Sequence, residues 1–271
     1  MIDLFELPAG RGHQSVFAPG EHGIEWLGLD VVRLDGGEEA KLRFDDREAV
    51  AVVLSGTCGA QAGDRSFESV GARADVFAGP PHAVYVPPST DLVLRATGSL
   101  EVAVVSARSD DGTEPAHVTP DQVLRLSAGR ANWRRDIRLV VPPGSPIGRR
   151  MIVGETVNPP GNWSGIAPHK HDEVTEQENA LEEFYLFKAH PKDGFGIQLG
   201  YRDGGGAGHL VGHDQVAFVR RGYHPTVAAP GMTLFYLWTL AGERKDYRIS
   251  LDPRFAWLPN AEAILTELDH H

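Results

Sequence analysis

Four side chains in the second half of this 271-residue chain have the types and spacing of a metal centre: His169, His171, Glu183 and His224. Successive side chains of an extended strand alternate between faces, so His169 and His171 point the same way while Lys170 points opposite. The same alternation puts Glu182, Phe184, Leu186 and Lys188 on one side of the next strand, and Glu183, Tyr185 and Phe187 on the other. Lys188 is expected in water, which makes Glu183 the inward carboxylate. His224 follows a glycine turn in Arg-Arg-Gly-Tyr-His-Pro, from which a further ligand arrives from a distant strand. Three neutral imidazoles and a carboxylate suit one divalent transition metal, zinc first, with manganese, iron or nickel as alternatives.

Such a metal, with positions left open, grips a carbonyl and the neighbouring hydroxyl oxygen and stabilises the charge of an enediolate. A hydride shift is an equally legal route. The sequence does not mark the base that would shuttle a proton; pocket candidates are Tyr185, Gln198, Tyr201 and Tyr236. No organic cofactor is expected, since Gly194-Phe-Gly-Ile-Gln-Leu-Gly200 has the wrong glycine spacing for a nucleotide loop and reads as a bent strand.

The elements that must position these residues are short, alternating or β-branched runs separated by Gly, Pro and Asp. In the first half they are 24–34, 40–44, 49–54, 84–86, 92–96 and 100–106. In the second half they are 137–141, 151–157, 184–187, 195–201, 216–219 and 233–240. This is the habit of an all-β antiparallel sandwich or barrel. Short helices are expected from Thr119-Pro-Asp-Gln and over 260–268. The polar, turn-rich stretch 116–136 reads as a linker between 1–115 and 137–271. The halves also resemble each other faintly: Glu48-Ala-Val-Ala-Val-Val-Leu matches the strand at Glu183, and Tyr85–Asp91 matches Phe218–His224. Arg43-Phe44-Asp45 and Asp91 stand where the second half has histidines, so no metal is expected in the first.

With 26 Lys plus Arg against 37 Asp plus Glu, a nucleic-acid partner is not expected. No apolar run reaches the roughly 20 residues that span a bilayer. The single cysteine, Cys58, and the lack of a charged-then-apolar leader point to a cytoplasmic setting. His270-His271 is native or a tag remnant and is given no role.

His-x-His, a glutamate opening a strand and a later Gly-x-His resemble the ligand pattern of the cupins. Gly161-Asn-Trp-Ser, Pro168-His-Lys-His-Asp, Glu182-Glu-Phe-Tyr, Gly194-Phe-Gly-Ile-Gln, Gly222-Tyr-His-Pro and Asp246-Tyr-Arg-Ile are similar to the bacterial 5-deoxy-glucuronate isomerases of inositol catabolism. Two departures from the general cupin pattern stand out: eleven residues separate His171 from Glu183, and Arg220-Arg221 replaces the proline region of the second motif. The isomerase family shares the first. The resemblance implies two cupin-type barrels, with the metal in the second. It also implies isomerisation of 5-deoxy-D-glucuronate to 5-dehydro-2-deoxy-D-gluconate. A small anionic sugar acid wants a guanidinium, for which Arg220, Arg221 and Arg248 are candidates. A homo-oligomer is left open. The rival readings are a cupin dioxygenase using iron and O₂, which the same ligands suit, and a non-enzymatic sugar-binding cupin.

Overall fold

A computed structural model describes residues 1–269; the His270-His271 pair lies outside the described residues. The fold is all-β and cupin-type, with two short 3-10 turns and one α-helix at Leu258–Asp269. The Thr119-Pro-Asp-Gln stretch is a turn rather than a helix: the Gln122 amide donates to the Thr119 carbonyl at 2.9 Å and the chain goes straight on into a strand.

Each half pairs a large sheet with a small one. In the first, a six-stranded sheet centred on Arg47–Ser55 and Leu100–Arg108 faces a four-stranded sheet built from Glu39–Phe44, Thr90–Ala96, Cys58–Ala62 and Arg65–Val70. In the second, a seven-stranded sheet centred on Glu182–His190 and Thr233–Ala241 faces a four-stranded sheet that includes Phe195–Arg202 and Thr226–Ala228. Facing sheets share a core but do not close into one hydrogen-bonded ring. The large sheets then stack back to back. Val50, Val52, Ala103 and Val105 of one and Phe184, Leu186, Phe235 and Leu237 of the other belong to a single buried cluster. Being covered on both faces, their central strands are apolar at both parities, as AVAVVL and TLFYLWTLA show.

Strands cross between the halves. Ile2–Glu6 pairs antiparallel with Gln215–Val219 at the edge of the second half's sheet. The stretch 116–136 contributes a strand to each half: Ala116–Val118 pairs with Ala83–Val86 of the first half, and Leu124–Ala128 with Arg135–Val141 of the second.

Lys188 corrects one expectation. It shares its face with Phe184 and Leu186, but that face meets the other half rather than solvent, and the residue is only 4 % exposed. Its ammonium lies 2.7 Å from Glu101 Oε2 and 2.5 Å from Asp214 Oδ1, the pairing that a buried charge requires. Glu183 still faces the interior of its own barrel, because the parity argument needs only that Lys188 lie on the opposite face. A second buried link joins the halves where the Arg73 guanidinium grips Glu155 in a fork at 2.6 and 2.9 Å.

Candidate metal centre

His169–Lys170 forms a two-residue strand against Ser250–Leu251, which fixes the first histidine at the mouth of the second barrel. His171 is tied to the start of the next long strand in both directions: its carbonyl accepts from the Leu181 amide at 2.9 Å, and its Nδ1 donates to the Leu181 carbonyl at 2.9 Å. The long spacing between His171 and Glu183 is thereby closed into a loop. At its centre sits Glu178, 1 % exposed, which accepts from the amides of Asp172 and Glu173 at 2.7 and 3.0 Å and from Lys170 Nζ at 2.7 Å. Asp172 Oδ2 in turn accepts from the Gly222 amide at 2.7 Å, joining this loop to the turn that carries His224. Gly222 has φ +87, and a Cβ there would lie 2.5 Å from the Tyr201 carbonyl oxygen, so glycine is required.

One nitrogen from each of His169, His171 and His224 lies within 4.8 Å of the others. All three rings turn Nδ1 toward a backbone carbonyl: Ala167 at 3.4 Å, Leu181 at 2.9 Å and Gly222 at 2.8 Å. For His169 and His224 that arrangement places the proton on Nδ1 and leaves Nε2 as a lone pair, the tautomer a metal-ligating histidine uses, whereas His171 Nε2 faces Glu183 Oε2. Glu183 Oε2 lies 3.0 Å from His171 Nε2 and 3.1 Å from His224 Nε2. The second contact lies off the line of a hydrogen bond, so His224 Nε2 is a buried nitrogen with no hydrogen-bond partner. The donor set and this orphaned nitrogen fit a divalent transition metal.

Burial works against a charged His171, but Glu183 outweighs it and raises its pKa. Burial, reinforced by His224 and His171, pulls the His169 pKa down to about 3, so its ring is neutral. Burial opposes ionisation of Glu183, yet His171 and His224 outweigh it and hold its carboxyl well below the usual range. Burial and the adjacent Glu183 push the Tyr185 phenol far up, and it donates to Glu183 Oε2 at 2.9 Å.

His169, Glu183, Tyr185 and His224 line a cavity of about 90 Å³, which Arg135, Thr156, Ser164, Tyr236, Trp238 and Tyr247 also line. Of the four pocket candidates, Tyr185 and Tyr236 line it. Gln198 lies behind it, donating to the His224 carbonyl at 2.7 Å and accepting from Thr226 Oγ1 at 2.6 Å. Tyr201 is three residues from Gln198, on the opposite face of the strand, and donates to Asp252 Oδ2 at 2.7 Å outside the cavity.

The three candidate arginines lie elsewhere. Arg220 is held by Asp3 at 2.6 Å and by the His22 and Gly23 carbonyls, where it secures the crossing first strand. Arg248 grips Asp246 at 2.7 Å and the Thr175 and Glu176 carbonyls, bracing the Glu178 loop. Arg221 is exposed. The guanidinium that does line the cavity, Arg135, comes from the edge of the stretch read as a linker, and parity with Ile137 was the signal that could have found it.

Residues 7–258 match the model of the KduI/IolB family. The chain is similar to a 5-deoxy-glucuronate isomerase of Geobacillus thermodenitrificans, 33 % identical over 93 % of each chain. It is also similar to the crystal structure of an IolB-like protein from Salmonella typhimurium LT2, with a TM-score of 0.90, 30 % identity, and 94 % of this chain and 98 % of that one covered. Oxalate decarboxylase of Lactobacillus farciminis, at a TM-score of 0.68 and 10 % identity over 97 % of this chain and 91 % of that one, shares the fold.

Proposed function

Because this chain belongs to the KduI/IolB family, we propose that it is a metal-dependent aldose–ketose isomerase converting 5-deoxy-D-glucuronate to 5-dehydro-2-deoxy-D-gluconate. The observation that carries this reading is the convergence of His169, His171, His224 and Glu183 on one another, with His169, His224 and Glu183 lining a cavity. A metal bound there supplies Lewis acidity toward adjacent carbonyl and hydroxyl oxygens.

The chain's own residues do the rest. Isomerisation moves hydrogen from C2 to C1 and a proton between the two oxygens. Tyr185, kept protonated by burial, donates to Glu183 Oε2 and fixes its orientation. The hydroxyls of Ser164 and Tyr236 contact each other at the cavity wall and present a polar edge to sugar hydroxyls.

Zinc is the metal we assign, the pathway is inositol catabolism, and the setting is the cytoplasm; the buried free thiol of Cys58 fits a reducing compartment. Among the described residues no helix is long and apolar enough to cross a membrane. Glu183→Gln is nearly isosteric and should keep the fold while removing the anionic ligand, so bound metal and turnover should fall together. Full activity at full metal content in that variant would refute the assignment.

A further inference from the structure

Among the residues lining the cavity only Arg135 and Glu183 carry a formal charge, histidines aside, and Glu183 is already engaged by His171 and Tyr185. Arg135 opens the Arg135–Val141 strand, on the same face as Ile137, which also lines the cavity. Its neighbour Asp136 faces the other way and pairs with Arg134 at 3.0 Å. The one hydrogen bond Arg135 makes is from Nη1 to the Ile166 carbonyl at 3.4 Å, the outer limit for such a bond. Among the described residues it has no carboxylate partner, whereas Arg33, Arg73, Arg138, Arg220 and Arg248 each have one. Tyr236 and Tyr247 line the same cavity as Arg135. A partly buried guanidinium facing a cavity with its fork unfilled is a receptor for an anion brought by the ligand.

We propose that Arg135 binds the carboxylate of the sugar-acid substrate and makes the site select uronates over neutral sugars. This rests on the isomerase reading, with the carbonyl end of the sugar at the histidines and the carboxylate at the far end of the carbon chain. The fork of Arg135 would donate to both carboxylate oxygens in its plane. Lysine at this position would keep the charge but lose the second bond.

The test is calorimetric titration of the metal-loaded protein with D-glucuronate and with D-glucose, for the wild type, Arg135→Gln and Arg135→Lys. The wild type should favour glucuronate. Arg135→Gln should lose about ten- to a hundred-fold in glucuronate affinity with glucose unchanged, and Arg135→Lys should fall between. In turnover the loss should appear mainly as a raised KM. Both variants should retain metal. Equal glucuronate affinity in wild type and Arg135→Lys, or a wild type indifferent to the carboxylate, overturns the proposal. A wild type that selects glucuronate but isomerises no uronate would leave Arg135 standing as an anion site and remove the isomerase reading instead.

Discussion

Glu48 and Glu182 tie the two halves together through the same contact made in opposite directions. Glu48, fully buried, accepts from the backbone amides of Arg149, Arg150 and Met151 at 2.8, 2.7 and 3.1 Å, where the second half's Met151–Asn158 strand begins. Glu182 accepts from the amides of Glu25, Trp26 and Leu27 at 2.7, 2.8 and 3.1 Å, where the first half's Leu27–Leu34 strand begins. Each carboxylate sits at the head of the strand that is third from one edge of its own large sheet. Set against each other in this way, the two halves align Glu48 with Glu182 rather than with Glu183, whose position Ala49 takes.

Glu48→Ala should destabilise the whole chain by at least about 2 kcal/mol, because three amides and the Tyr85 hydroxyl, 2.9 Å from Glu48 Oε2, lose their acceptor in a dry interface. Urea unfolding would read this directly. An unchanged midpoint would mean that water replaces the carboxylate and that the clamp contributes little.

Lys188→Met should cost about 1–3 kcal/mol, since Glu101 and Asp214 lose their shared cation and keep Arg33, at 2.9 and 3.5 Å, with His213 3.9 Å from Asp214. Burial works against the Asp214 carboxylate, but Lys188 outweighs it and holds the pKa below the usual value. A lowered folded pKa gives stability that is complete above the unfolded value of about 3.9 and lost as pH falls from there through the folded value. The variant should lose part of that acid-side dependence. Thermal unfolding from pH 5 to pH 2 tests it; parallel wild-type and variant curves would contradict the role of Lys188.

Gln198→Leu should weaken metal binding by about ten-fold or more without touching a ligand atom, because Gln198 fixes the backbone carbonyl of His224 against Thr226. Chelator competition measures it, and unaltered affinity would show that the Gly222 turn alone positions the histidine.

Alternation within single strands was what the sequence carried best. It separated Glu183 from Glu182 and grouped His169 with His171, because each inference needs only neighbours along one chain. Contacts between distant strands were not legible. Lys188 looked solvent-facing because nothing local shows that a second sheet covers that face. Arg220 and Arg248 looked free because their partners, Asp3 with the His22–Gly23 turn and the 175–176 carbonyls, come from remote loops. Arg135 was hidden in a turn-rich stretch whose strand at Leu124–Ala128 exists only by pairing with the next.

His171→Ala should reduce bound metal from about one ion per chain to near none while the fold persists, since the ring contributes one of three converging nitrogens and its loop is also closed by Glu178. Elemental analysis of both proteins decides it, and undiminished metal in the variant would move the centre away from these residues.

The account stands most directly on one observation: the metal-replete protein under nitrogen, supplied with 5-deoxy-D-glucuronate and followed by NMR. Loss of the C1 aldehyde and hydrate signals with growth of a 2-ketose, abolished by chelator and restored by metal, is the predicted result. If neither this sugar nor the related 4-deoxy-hexosulose uronate is converted, or if conversion consumes O₂, the isomerase assignment is contradicted.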